Sequence, residues 1–168
     1  GAITQNRSIE QFSTAGSLTE HLTQAIRTYG GEGRTLFSGF ILHELEGSHI
    51  APLVYTAEKP LMASSQFHNL WRYRQIFPES FIARKSSGAI AEYLTIYNVT
   101  AVVTHEREWR EYFSARPSLY RLVWREGRFS LFERLGSAPS YVQQGAATVR
   151  TSEASITLVP STEEVVLR

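Results

Sequence analysis

The sequence predicts an α/β domain: a small sheet with parallel strands and flanking helices, followed by a β-hairpin and a small all-β module at the carboxyl end. Three observations carry this reading. Ser17-Leu18-Thr19-Glu20 has the form of a capping box at the head of an amphipathic stretch. A helical stripe of Ile90, Tyr93, Leu94 and Tyr97 runs, after a short break, into the β-branched run Val99–Thr104 (VTAVVT). A helix feeding a continuous apolar strand is the pattern of a parallel layer. Two apolar runs, 119–124 and 129–133, then flank Arg125-Glu126-Gly127-Arg128, which signals a hairpin with glycine in the turn.

Taken in order, residues 1–16 are polar and read as a linker or lead-in. Leu18, Leu22, Ala25, Ile26 and Tyr29 share one helical face, so a helix is predicted over 17–29, stopped by Gly30-Gly31. Residues 34–40 (RTLFSGF) read as a short buried strand, and 59–63 (KPLMA) as another, with 41–58 ambiguous between them. Phe67, Leu70, Trp71 and Arg74 predict a helix over 65–76 that ends before Pro78. Ser86 or Ser87 caps the next helix, the strand 99–104 follows, and a further helix spans 105–113 with Trp109, Tyr112 and Phe113 inward. Beyond Gly136-Ser137-Ala138-Pro139 the helical periodicity vanishes. Short strands are predicted at 147–150, 155–159 and 164–167. The organisation expected is therefore a lead-in (1–16), an α/β domain (17–136) and a β-rich module (137–168). The opening Gly1 and the strand-like run Glu164–Arg168, which stops without a turn signal, suggest a piece of a longer protein with that module cut short.

Composition narrows the function classes. The 168 residues are 42% hydrophobic and 20% charged, and a chain of this length buries roughly two-thirds of its unfolded surface. Seventeen basic residues oppose sixteen acidic ones and are interleaved with them, as in Glu106-Arg107-Glu108, so no nucleic-acid partner is expected. The absence of cysteine removes disulfides, thiolate metal sites and cysteine nucleophiles. No stretch approaches the roughly 18 apolar residues of a membrane span.

Chemistry-bearing motifs are sparse. His21, His43, His49, His68 and His105 show no HExxH and no i, i+4 pair, so neither a metal nor a cofactor is expected. His43 and His49, beside Glu44 and Glu46, read as loop histidines. Gly30-Gly31-Glu32-Gly33 lies between a helix and a strand, the reverse of the order a phosphate loop needs. Ser38-Gly39 follows a strand without a G-x-S-x-G frame, and no catalytic residue is assigned. One constellation stands out. Ligands of open α/β sheets bind outside the carboxyl ends of the strands, where Ser38, Ser64, His68 and His105 would converge if the strands are parallel neighbours. Arg72, one helical turn from His68, suits an anionic or sugar ligand. The competing reading makes His105 a helix cap and His68 a surface or core histidine.

The segment Ala89-Ile90-Ala91-Glu92-Tyr93-Leu94, followed by Tyr97-Asn98-Val99-Thr100-Ala101-Val102-Val103, resembles a piece of bacterial multi-pass membrane proteins of the glycosyltransferase-C type, where a helix steps through Y-N-V into a hydrophobic strand. Arg34-Thr35-Leu36-Phe37-Ser38-Gly39, the stretch from Tyr55 to Met62 and the β-rich tail 147–167 are also similar. The resemblance implies an extracytoplasmic domain, membrane-anchored through transmembrane helices outside this chain. It would serve as a non-catalytic accessory or binding part of a protein that transfers lipid-linked sugars or cell-envelope polymers. Its partners would be that transmembrane region and a sugar or lipid-phosphate ligand. Alternatives are a protein-interaction scaffold and a self-contained soluble hydrolase or transferase using the strand-end cluster. The carboxyl-terminal strand is expected to offer an edge for self-association.

Overall fold

The computed structural model describes residues 17–37, 57–63, 77, 87–137, 140–151 and 155–167. Helix α1 (Ser17–Tyr29) leads into strand β1 (Arg34–Phe37), and β2 (Leu61–Ala63) follows. Helix α2 (Ser87–Ile96), β3 (Val99–Thr104) and α3 (Arg107–Ser114) come next, then the hairpin β4 (Tyr120–Glu126) and β5 (Phe129–Arg134). The predicted α/β class holds. The helix expected over 65–76 and the strand residues 38–40 lie outside the described residues.

These strands form one sheet in the order β2-β1-β3-β5-β4. β1 runs parallel to both β2 and β3, whereas β5 is antiparallel to β3 and β4. The hairpin is thus an extension of the parallel sheet, with its second strand inserted next to β3. Every residue of β3 is buried, which explains its lack of polar alternation.

Two apolar cores cover the two faces. On one, Leu22, Ala25 and Ile26 of α1 pack with Phe37, Ala101, Val103, Phe129 and Leu131. On the other, Ile90, Tyr93 and Leu94 of α2 and Trp109 and Phe113 of α3 pack with Leu36, Val102 and Phe132. Phe77 joins this second core edge-on to Tyr93 and Trp109. Each fully buried Phe or Leu contributes on the order of 1.5–3 kcal/mol.

A bulge links the cores to the loops. Arg34 pairs with Val99 but Thr35 with Ala101, so Thr100 is an extra residue and the face of β3 switches phase there. The Thr100 hydroxyl donates to the Gly30 carbonyl at 2.5 Å and accepts from the Gly33 N–H at 3.2 Å. A Cβ at Gly33 would lie 2.3 Å from the Asn98 carbonyl oxygen. The glycines therefore permit the α1–β1 loop to lie flat on β3 as well as ending α1.

Several placements differ from expectation. Tyr29 and Tyr97, assigned to inward helical faces, are 41% and 42% exposed because each lies at or past the end of its helix. Tyr112 is half-buried while Trp109 and Phe113 are buried. The carboxyl-terminal region holds four strands, not three: β6 (Val142–Gln144) pairs with β9 (Val166–Leu167), and β7 (Ala147–Thr151) with β8 (Ile156–Pro160). β6 escapes the sequence reading because Val-Gln-Gln carries no β-branched run.

Candidate site at the carboxyl ends of the parallel strands

The three parallel strands end on one edge of the sheet. Phe37 is in register with Ala63 on one side and Val103 on the other. Chain direction therefore sets the residues that follow, Ser38, Ser64 and His105, after three adjacent strand ends. The connections then diverge. The chain returns to β2 past Ala57, which packs in the α1-side core, whereas α3, following β3, packs on the opposite face. Adjacent parallel strands whose connections leave to opposite faces define a topological switch point, and the crevice above it is where open α/β sheets take ligands.

Among the described residues, Thr104, His105 and Glu106 occupy this edge. Thr104 is fully buried and its hydroxyl has no hydrogen-bond partner. His105 is 9% exposed at its side chain, and its ring stacks on Phe129 with centroids 5.8 Å apart. Glu106, and not His105, occupies the N-cap position of α3, and its side chain makes no capping bond to the helix. One Glu106 carboxylate oxygen sits 3.4 Å from His105 Nδ1 and 3.4 Å from the His105 backbone nitrogen. The other is buried without a partner. Arg110, one turn along α3, donates to the His105 carbonyl at 3.2 Å and also to the Arg128 carbonyl, tying the strand end to the β4–β5 turn.

Of the residues predicted for the site, His105 is at the expected edge. Ser38, Ser64, His68 and Arg72 lie outside the described residues. Sequence reasoning noted Glu106 only as a neighbour of His105 and passed over Thr104 and Arg110. The signal was available for Glu106: an acid just before an amphipathic helix is an N-cap candidate. Nothing in the sequence marks Thr104 as unpartnered, since that depends on what packs around it. No group of three or more metal-ligating side chains occurs among the described residues, and no helix there is long and apolar enough to cross a membrane.

The electrostatics favour some ligands over others. A helix N-terminus ordinarily attracts anions, but Glu106 at the N-cap and Glu108 in the first turn place two carboxylates there. A phosphate at α3 would meet that charge. Hydroxyl groups would instead find acceptors in the Glu106 carboxylate and the Thr104 oxygen.

Fold and edge together define an α/β domain with a switch-point crevice in a mixed five-stranded sheet. Compared with protein-family models, curated proteins and solved structures, the chain matches none.

Proposed function

We propose that this chain is a non-catalytic binding domain, an extracytoplasmic accessory of a membrane protein that handles lipid-linked sugars or cell-envelope polymers, and that it takes its ligand at the β1–β3 switch point. The observation that carries the binding edge is the parallel register of β2-β1-β3, which aligns three strand ends with His105 beside them. The membrane and sugar context is supported by the resemblance of residues 89–103 to the glycosyltransferase-C type. The unpartnered Thr104 and Glu106 oxygens favour a hydroxyl-rich sugar over a lipid phosphate at this edge.

A ligand that binds only the native state raises its melting temperature. Neutral oligosaccharides are expected to stabilise the chain, and Glu106→Gln and His105→Ala to remove most of that shift while the ligand-free melt stays within a few degrees. Equal shifts in both variants and the parent chain would remove the site from the proposal. A second reading, a soluble hydrolase, draws on the proximity of the Glu106 carboxylate to His105, a pairing that can orient a general base. Turnover of generic ester or glycoside substrates that is lost in His105→Ala would favour it.

A further inference from the structure

The opposite edge of the sheet has a different character. The amino ends of β1, β3 and β4 and the carboxyl end of β5 share one rim. Tyr29 precedes β1, Ile96 and Tyr97 precede β3, and Leu119 precedes β4. Their exposures are 41%, 44%, 42% and 42%. The three remaining large exposed apolar residues, Leu122, Val159 and Leu167, lie on the edge strand β4 and in the carboxyl-terminal strands. β1 and β4 are three strands apart, so the rim spans about 14 Å.

Cations are interspersed with these side chains. Lys59 donates to the Gly31 carbonyl, Arg34 to the Tyr97 carbonyl and Arg116 to the Tyr112 carbonyl. Those contacts fix the side chains without cancelling their charge. Arg134, at the end of β5, donates to the Thr95 hydroxyl. Arg27 is paired with Glu58, and Glu32 is the other carboxylate at this rim. The rim thus carries an excess of positive charge among exposed tyrosines and aliphatics. Tyrosines and aliphatic side chains at one level, ringed by arginine and lysine, suit the interface of a bilayer with anionic headgroups.

We infer that this amino-end rim, presenting Tyr29, Ile96, Tyr97 and Leu119 with Lys59, Arg34, Arg116 and Arg134, is a docking surface for an anionic lipid bilayer. The inference does not depend on what occupies the switch point, and it sets an orientation: the ligand edge faces away from the bilayer.

The test is co-sedimentation of the chain with vesicles of phosphatidylcholine alone and of phosphatidylcholine mixed with phosphatidylglycerol. Binding is expected to the mixed vesicles only and to weaken as salt rises. Lys59→Glu is expected to reduce partitioning by about fivefold or more, the effect of one surface cation. The triple variant Ile96→Ser, Tyr97→Ser, Leu119→Ser should lose binding, with circular dichroism and thermal melting confirming its fold. Val159→Ser, an exposed apolar position elsewhere, should bind like the parent chain. No binding of the parent chain to mixed vesicles, or equal loss in Val159→Ser, would overturn the inference. So would a parent chain whose exposed rim drives only self-association, seen as a dimer in sedimentation velocity that the triple variant abolishes. If the triple variant misfolds, Lys59→Glu and the salt dependence decide.

Discussion

The five-stranded sheet and the carboxyl-terminal strand pairs use similar β-branched residues to opposite effect. In the sheet, β3 is buried on both faces and β5 carries Phe129, Leu131 and Phe132 at 1% exposure or less. In the strand pairs, no described residue of β6, β7, β8 or β9 is fully buried, although Val149, Ile156 and Leu158 form a half-buried apolar side of the β7–β8 hairpin. A strand run becomes core only where helices cover it. The β-rich region is tied to the α/β sheet at one point: Asn98, held at φ 51, accepts the Ser140 N–H at 2.9 Å, and Tyr141, 3% exposed, lies under the Arg34 guanidinium, 4.9 Å from its ring centre.

This contrast breaks most readily in the core. Phe113→Ala is expected to cost about 3–5 kcal/mol in chemical denaturation, because Phe113 is fully buried against Tyr120 and Phe132. Val159→Ala, 56% exposed, should change stability by about 0.5 kcal/mol or less. Comparable losses at the two positions would mean that the strand pairs have a core after all. Gly33→Ala comes next, at about 1–3 kcal/mol, since its Cβ meets backbone.

Alkaline pH sharpens the comparison. Burial pushes the phenols of Tyr93 and Tyr120 up to about 12, with smaller contributions from Tyr97 at the first and Tyr112 at the second. In the unfolded chain both ionise near pH 10, roughly the value of a free tyrosine. Between about 10 and 12 the unfolded state has therefore released protons that the folded state retains, so stability falls as pH rises, by about 1.4 kcal/mol per unit for each group. Stability curves measured over that window should flatten in Tyr120→Phe. At the junction, Tyr141→Phe should be near neutral, within about 0.5 kcal/mol, because the hydroxyl it removes is buried without a hydrogen-bond partner. The smallest expected effect is on assembly. Leu167→Lys should shift any dimerisation through the unpaired side of β9 without altering the melting temperature.

The sequence made the sheet legible where periodicity and composition agree. α1, α2, β3 and the hairpin declare themselves through capping, helical stripes, a β-branched run and a turn glycine. The insertion of β5 between β3 and β4 was not legible, because strand order depends on contacts distant along the chain. The same holds for the site. His105 could be placed after a strand end from sequence, but the switch point that gives the position meaning needs β1 to lie between β2 and β3. Asn98 and Tyr141 were missed for a related reason: a single asparagine ending a helix and a tyrosine after a proline carry no sign of the partner each meets.

The strand order also bears on how the protein is made. During synthesis β3 emerges well before β5, its neighbour on the hairpin side, so until Arg134 has left the ribosome one edge of Val-Thr-Ala-Val-Val-Thr has no partner. That segment is β-branched, uncharged and free of proline, the composition most prone to pairing with copies of itself. Nascent chains that stall or are cleaved before Phe129 should therefore aggregate more than either shorter or complete ones.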